Sequence, residues 1–377
     1  MKLRNRSTSE LVAKQPQRTS SAREKMGKGI RLRIALNMKK MNRMVYFSLL
    51  MYLLVCISCQ NNNTQSIVVE KKGFETLSDS LLSQMPGVLL CTDKHLFWSD
   101  PFNSPFAHFI DKKSGKEVAA TGQYGQGPDD FSMPVFEEYN GDTIFVWDLN
   151  EDKQILLSLD SDGVCSLRHL AGRGLDCSYN RIIQLSGDRS IRHNPESIDH
   201  PFSFICGNDT IKFGKDPIKG DFSADSKYNC FQGEVCYNRN KDLLVYCPIK
   251  FEYMAIYKFD GKKIDLKYEY APTSKYTVSD GDLKILDGTR AGAKGLCFTA
   301  NYIATLEYDY DNEDVTLPRG RDFSKLPHCI FLRDYSGTLQ RKIDLNVPIL
   351  RIAGDERSDT LYAIVVVDEF NLVKVEL

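Results

Sequence analysis

Short runs of apolar residues, each bounded by turn-forming residues, recur along most of this chain. Residues 143–147 (TIFVW) form such a run and residues 154–159 (QILLSL) form the next, with a polar turn between them. Asn140-Gly141 and Asp162-Gly163 flank the pair, and both dipeptides favour tight turns because their residues tolerate positive φ. The pattern predicts a β-hairpin. A lone hairpin cannot bury both of its faces, so this unit requires neighbouring strands.

Weaker copies of the strand–turn–strand pattern recur about every 44 to 59 residues, a spacing within or just above that of propeller blades. The six copies begin near residues 95, 143, 187, 243, 302 and 360. They predict an all-β, six-bladed β-propeller with four-stranded antiparallel blades. A large β-sandwich and two stacked β-domains are the alternatives at this length. We expect residues 67–76 to form a strand that completes the last blade beside the C-terminal strand, because ring closure removes exposed sheet edges.

The formal net charge of −1 hides two very different parts of the chain. Of its 49 basic and 50 acidic residues, residues 1–58 hold thirteen basic and two acidic ones. The remainder therefore has 36 basic against 48 acidic residues, a net charge of −12. Nucleic-acid binding requires clustered positive charge, so this composition argues against a nucleic-acid partner.

The basic leader contains the features of an export signal. Lys39, Lys40 and Arg43 precede an apolar run at residues 45–57, which suits a signal-peptide core and is shorter than the roughly 20 residues needed to span a bilayer. The following Ser58-Cys59 resembles the end of a bacterial lipobox, although Cys56 stands where leucine is usual. This resemblance implies that Cys59 is the lipid-attachment residue and becomes the new N-terminus. A short membrane anchor and a buried helix are the alternatives.

The resemblance to a lipobox also implies a location in the cell envelope. Gln60 rather than aspartate follows the cysteine, which implies the outer membrane, and no acidic cluster follows it, which favours the periplasmic side over the cell surface. Residues 1–37 exceed an ordinary signal peptide, so we expect translation to start at Met38, Met41 or Met44, with a genuine basic tail as the alternative. The predicted organisation is a leader and signal peptide at 1–58, a polar tether at 59–65 and the propeller at 66–377.

Nine cysteines follow the signal region, and none forms a CxxC pair. Cys230 and Cys236 are too isolated to indicate a zinc site. Many of the nine follow apolar residues, so we expect small buried core residues, with a disulfide framework as the alternative for an exported protein.

Two segments carry a family resemblance. Residues 125–131 (GQGPDDF) and 142–148 (DTIFVWD) resemble the TolB-like six-bladed propeller lipoproteins, in which a loop of the form GxGxGPxxF precedes a blade; here the loop begins at Gly122. The resemblance implies the propeller fold and export, and little about chemistry.

The loop at residues 122–131 is the candidate ligand-binding segment. It should link the outer strand of one blade to the inner strand of the next, on the face where propellers commonly bind ligands. Tyr124, Gln126, Asp129 and Asp130 are its aromatic or polar candidates. The competing interpretation is a structural turn, in which the glycines supply positive φ and Pro128 fixes the chain direction.

Other motifs favour structural interpretations. Asp148-x-Asn150-x-Asp152 opens like a calcium loop but has Lys153 and Leu159 where glycine and glutamate are required, and the acidic run at residues 309–314 also lacks its glycine. We therefore expect solvated hairpin tips, and predict no metal and no cofactor. Phe131 and Trp147 are expected to pack in the core. Three Asp-Thr-Ile/Leu triplets, at residues 142–144, 209–211 and 359–361, resemble O-glycosylation acceptors, but the start of a strand is the favoured interpretation.

The sequence contains no HExxH, HxH or GxSxG motif, so no catalytic residue is predicted. The favoured function is a monomeric binding or scaffold lipoprotein, anchored in the membrane, for an envelope protein, peptide or glycan. The alternative is a periplasmic propeller enzyme, a hydrolase or lyase acting on glycan or peptide. Three or more ionisable groups converging on the inner strands would favour the enzyme. Taking residues 143–147, 243–247 and 360–367 as inner strands, their apolar character favours binding.

Overall fold

A computed structural model describes residues 67–79, 81–170, 180–308 and 322–377, and this part of the chain is almost entirely β-structure. In chain order its strands are β1 (Val69–Lys71), β2 (Glu75–Ser78), β3 (Leu89–Cys91), β4 (His95–Ser99), β5 (Ala107–Asp111), β6 (Glu117–Thr121), β7 (Pro134–Asn140), β8 (Thr143–Asp148), β9 (Gln154–Leu159), β10 (Cys165–His169), β11 (Arg181–Gln184), β12 (Arg189–His193), β13 (Phe202–Cys206), β14 (Asp209–Phe213), β15 (Gly233–Asn238), β16 (Leu243–Pro248), β17 (Met254–Asp260), β18 (Lys263–Tyr270), β19 (Tyr276–Ser279), β20 (Asp282–Ile285), β21 (Gly295–Phe298), β22 (Ile303–Glu307), β23 (Cys329–Arg333), β24 (Leu339–Asp344), β25 (Ile349–Gly354), β26 (Thr360–Val366) and β27 (Phe370–Glu376).

Six antiparallel four-stranded units form the blades of a ring. The blades are β3–β6, β7–β10, β11–β14, β15–β18, β21–β24, and β25–β27 with β2. The first strand of each blade contacts the first strand of the next, in the cyclic order β3, β7, β11, β15, β21, β25 and back to β3. These six inner strands therefore surround a central channel. The architecture confirms the predicted six-bladed propeller over a sandwich or two stacked β-domains.

The second and third strands of the blades carry most of the core. All six residues of β16 are buried, as are five of the six in β8, because each blade packs against a neighbour on both faces. Phe131 and Trp147 are each only 2% exposed, which confirms their expected packing role. The ring of Phe131 meets Phe106 edge-on at a centroid distance of 5.6 Å, joining the loop before β7 to the first blade.

The N-terminal segment closes the ring, although with two short strands rather than the single strand expected at residues 67–76. β2 pairs antiparallel with the C-terminal strand β27 and completes the last blade. β1 instead pairs in parallel with β24 and adds a fifth strand to the preceding blade. Residues 72–74, which include Gly73, separate the two strands, so the chain crosses from one blade to the next at this point.

One helix and one extra hairpin decorate the fourth blade. The helix α1 (Ala224–Phe231) precedes β15 and begins at Ser223, whose side chain accepts a hydrogen bond from the amide of Ser226. The extra hairpin β19–β20 packs against α1, where the Leu283 amide donates to the Ser226 hydroxyl at 3.0 Å. A short 3₁₀ helix (Phe323–Lys325) precedes β23. None of the described helices is long and apolar enough to cross a membrane.

The apolar runs that were expected to be inner strands occupy a different place. Residues 143–147, 243–247 and 360–366 lie in β8, β16 and β26, which are the second strands of their blades. That assignment was wrong, and the preference for binding drawn from it loses its basis. Second strands are the more apolar ones because both of their faces meet other blades, whereas an inner strand borders the channel.

Five of the eight described cysteines are buried, as expected of small core residues, whereas Cys165, Cys206 and Cys236 are only partly buried. None of the eight forms a disulfide. Cys177, Cys59 with the whole leader, and the acidic run at residues 309–314 lie outside the described residues.

Candidate functional site

The largest cavity of the central channel opens where the inner strands begin, at an end of the channel that we call the wide mouth. It has a volume of about 540 Å³, within the range of small-ligand pockets. Its walls are mostly aliphatic and come from the inner strands and the segments before them. The apolar lining residues include Val88, Leu89, Leu90, Val135, Phe136, Ile249, Leu296 and Ile352. Five ionisable side chains project among them, namely Glu137, Arg181, Glu234, Lys294 and Arg351.

Arg181 joins three blades at this mouth. It is the first residue of β11, and its guanidinium contacts Glu137 of β7 at 3.2 Å and Glu234 of β15 at 3.0 Å. The two carboxylates thus share one cation, and both bonds are charge-assisted. Burial raises the pKa of Glu137 to about 7, with Arg181 opposing this shift. The shared guanidinium therefore compensates part of the cost of placing two acids in the channel.

The other two cations of the wide mouth form no ion pair among the described residues. Arg351 donates to the backbone oxygens of Gly87 and Leu350, the second at 2.9 Å. Burial lowers the pKa of Arg351, Glu234 opposes this shift, and repulsion from Arg181 adds to it. Burial likewise lowers the pKa of Lys294 to about 8, and repulsion from Lys250 adds to the shift. The mouth consequently holds three cations against two acids.

Neither the thiol nor the hydroxyl at the wide mouth has the environment of an activated nucleophile. The Cys236 thiol donates to the backbone oxygen of Leu296 at 3.2 Å, and burial and Glu137 raise its pKa well above the ordinary value. The thiolate, which is the reactive form, is therefore disfavoured. The Ser99 hydroxyl accepts the amide of Val88 at 3.0 Å and pairs with no described base.

Beyond the wide mouth the channel narrows between apolar side chains and ends in a second, polar opening of about 150 Å³. We call this the narrow mouth. Arg239 and Arg357 line it. Arg239 donates to the backbone oxygens of Glu138 at 3.0 Å and Gln184 at 2.7 Å, which ties three blades together. The Glu138 side chain is exposed to the solvent inside the channel, but the surrounding protein still desolvates its carboxylate. This desolvation, together with repulsion from Glu356, raises the pKa of Glu138 to about 8.

The predicted loop links β6 to β7, as expected, but its four candidate residues do not form one site. Tyr124 lines the wide mouth and packs against Phe106. Asp130 turns back into the loop and accepts the Gly127 amide at 2.9 Å. Asp129 contacts His169 of the outer strand β10 at 2.8 Å, and Gln126 is exposed. The ligand-binding role of these residues stays a prediction, and their geometry favours a structured turn with Tyr124 at the rim.

The aspartates of the other motifs fix turns. The Asp148 carboxylate accepts the amides of Ser132, Met133 and Asn150 at 2.7 to 2.9 Å. Asp142, which precedes β8, accepts from Thr92 and from the Lys94 amide in the preceding blade.

Asp359 repeats this arrangement at the start of β26, where it accepts from Thr299 and Asn301 of the preceding blade. An aspartate at the start of a second strand therefore clamps the neighbouring blade in both cases.

Sequence reasoning missed the ionic mouth because its members lie far apart along the chain. Arg181 is 44 residues from Glu137 and 53 from Glu234, and no motif joins them. The available signal was weak: single charged residues interrupt short, otherwise apolar segments such as β15 (GEVCYN).

Comparison with solved structures supports the architecture. The chain resembles a member of the DUF4221 family from Bacteroides vulgatus, with 13% identity, a TM-score of 0.52, and coverage of 82% of this chain and 97% of the other. It also resembles a protein from Bacteroides fragilis described as exported, with 13% identity, a TM-score of 0.53, and coverage of 82% and 99%. At this identity the likeness shows the fold alone. No model of a known protein family matches the chain, and no curated protein does either.

Fold and comparisons together define the class of this protein, which is a six-bladed β-propeller with an ionic central channel. The resemblance to the TolB-like lipoproteins remains a prediction, because neither structural neighbour bears on that label.

Proposed function

We propose that this chain is an exported, lipid-anchored propeller that binds an envelope protein, peptide or glycan at its wide mouth. The observation that carries the proposal is the 540 Å³ cavity, which combines a largely aliphatic wall with a few convergent charged groups. This combination is typical of ligand sites, in which apolar area supplies affinity and a few polar groups supply orientation. Anchoring through Cys59 in the outer membrane, facing the periplasm, belongs to the proposal and rests on the sequence of the leader.

Binding is favoured over catalysis by how the charged groups are paired. Both carboxylates of the mouth contact the same guanidinium, that of Arg181, so each of them already accepts a charge-assisted hydrogen bond. The Cys236 thiol is protonated and bonded to a backbone oxygen.

The enzyme alternative has two observations in its favour. Five ionisable groups converge at the inner strands, more than the three that would favour an enzyme. Glu137 has a pKa of about 7, a value suited to a general acid or base in glycan or peptide cleavage.

The test is affinity capture with the full-length protein from its own envelope, followed by mass spectrometry. The variant Leu90→Trp fills the channel, because Leu90 lines the wide mouth. Leu167→Trp is the matched control, because Leu167 lies exposed on the outer strand β10. We expect a partner or ligand that wild type and Leu167→Trp retain and Leu90→Trp loses.

Equal recovery on all three proteins would refute binding at the wide mouth. Turnover of envelope glycans or peptides that Glu137→Gln abolishes would instead establish the enzyme.

A further inference from the structure

The wide mouth carries uncompensated positive charge in an otherwise acidic body. Arg181 contacts both glutamates, whereas Lys294 and Arg351 form no ion pair among the described residues, so three cations face two acids and the mouth has a net charge of about +1. The chain beyond residue 58 has a net charge of −12, so two unpaired cations in its largest channel cavity are a local reversal of sign. Such a reversal attracts and orients an anionic group.

Arg351 is held in position before any ligand arrives. Its Nε donates to the backbone oxygen of Gly87 and its Nη1 donates to that of Leu350 at 2.9 Å. Both acceptors are backbone atoms, so they fix the guanidinium without cancelling its charge. The Nη2 group has no acceptor in the part of the chain that the structure describes. A guanidinium presented in this way suits a carboxylate, and its fixed position reduces the entropy lost on binding.

Lys294 completes the pair from the neighbouring blade. It directly precedes β21 and is half-buried, and its side chain lines the same cavity. No hydrogen bond or ion pair engages its ammonium group among the described residues; Lys250 repels the ammonium group, and Glu234 attracts it only from beyond ion-pair distance. A ligand anion would supply the partner that this half-buried charge lacks.

The wall of the cavity selects among anionic ligands. Leu89, Leu296 and Ile352 are aliphatic, and Tyr124 stands at the rim. A glycan would place many hydroxyl groups against this wall without acceptors or donors, at a cost for each unpaired group. A peptide with an apolar side chain next to a carboxylate would bury that side chain and leave its anion for the two cations.

We propose that the wide mouth binds the C-terminal carboxylate of a peptide or protein whose last side chain is apolar, with Lys294 and Arg351 as the residues that hold the carboxylate. This inference rests on the proposed binding function and specifies its ligand. The aliphatic wall around Leu296 and Ile352 receives the last side chain.

The test uses the full-length protein in detergent and fluorescein-labelled pentapeptides in an anisotropy titration. The probes end in leucine, valine or serine, each as the free acid and as the amide. We expect the leucine and valine acids to bind, and we expect amidation or a terminal serine to weaken binding about tenfold or more.

Variants assign the carboxylate contact. Lys294→Gln and Arg351→Gln should each weaken the acid probes about tenfold and leave the weaker amide probes unchanged. Lys250→Gln, on an exposed residue near the mouth, is the matched control and should have a much smaller effect. Because Arg351 also bonds to two backbone oxygens, a thermal unfolding curve must accompany that variant, whereas Lys294 has no partner to lose.

Two results separate this inference from the proposed function. If Leu90→Trp abolishes capture of a natural ligand but acid and amide probes bind wild type equally, the carboxylate assignment is overturned and the binding site stands. If a neutral glycan is the ligand that Leu90→Trp excludes, the assignment is overturned as well. If Leu90→Trp changes neither the capture of a natural ligand nor the anisotropy titration of the acid probes, both proposals fail.

Discussion

His193 makes the stability of the third blade sensitive to acid. The side chain is only 1% exposed, stacks on Phe202 at a centroid distance of 4.8 Å, and has no hydrogen-bond partner at either ring nitrogen. Burial, and to a smaller extent Arg181, lowers its pKa to about 3. The imidazole is therefore neutral in the folded protein at every pH at which the protein is expected to work, whereas in the unfolded chain it titrates near the ordinary value of about 6.5.

The sign and size of the effect follow from this difference. Above pH 6.5 both states are neutral and the histidine adds no pH dependence. As the pH falls below 6.5, only the unfolded chain gains the proton, so the folded state loses about 1.4 kcal/mol per pH unit. The loss reaches about 2 kcal/mol at pH 5 and about 4 kcal/mol near the folded pKa, and it levels off at about 5 kcal/mol below that pH.

The variant His193→Leu removes this dependence. Because neither ring nitrogen has a partner, the substitution sacrifices no hydrogen bond, and at pH 7.5 we expect the variant to be more stable by about 1 to 3 kcal/mol. The difference in unfolding free energy between the two proteins should widen by about 2 kcal/mol between pH 7.5 and pH 5. Other titrating groups, such as Glu137, occur in both proteins and cancel in the difference.

Urea unfolding at several pH values measures this difference, with the fluorescence of the buried Trp98 and Trp147 as the signal and circular dichroism as a second probe. His200→Leu is the matched control, because His200 is an exposed histidine near the same blade and its removal should not widen the gap. A difference that stays constant from pH 7.5 to pH 5 for His193→Leu would refute the reasoning.

Three further predictions concern other parts of the molecule. Arg181→Leu leaves two channel glutamates without their cation and should lower the unfolding free energy by about 3 to 5 kcal/mol in urea titrations; a loss below about 1 kcal/mol would contradict the shared ion pair. Gly122→Ala places a Cβ 2.4 Å from the Phe106 ring at a residue with φ of +88°, whereas Gly187→Ala, at φ of +66°, meets nothing within 4 Å. The first should lower the melting temperature several degrees more than the second, and equal shifts would disprove the steric cause. Cys59→Ala should move the protein from the membrane to the soluble fraction, and unchanged membrane association would exclude the lipid anchor.

Much of the fold was predictable because its strongest signals are local. Strands such as β8 and β16 are buried on both faces, so they appear in the sequence as continuous apolar runs, and dipeptides such as Asn140-Gly141 mark the turns between strands. The regular spacing of these units then indicated a propeller. Ring closure predicted the pairing of the N-terminal segment with the C-terminal strand β27. The parallel pairing of β1 with β24 in the preceding blade could not be predicted, because no local pattern indicates that partner.

The candidate site was much less predictable than the fold. Tyr124 is the single predicted loop residue that lines the wide mouth, because the loop lies beside the channel as expected while Asp130 turns back to its own backbone. Arg351 and Lys294 carry no signature in the sequence: they become a pair only because the ring brings β25 and β21 side by side.

The same geometry explains why the inner strands were not recognised in the sequence. It also explains why only the residues of the wide mouth can distinguish a binding function from a catalytic one. A strand that borders a channel keeps polar residues on one face, so Glu137 and Glu234 break the apolar pattern by which strands are recognised. The positions most relevant to function are therefore the ones that least resemble strands. Since the apolar runs belong to second strands, they say nothing about the channel. The decisive feature is how the charged side chains of the channel pair: Arg181 forms ion pairs with both glutamates, while Lys294 and Arg351 remain available for a ligand.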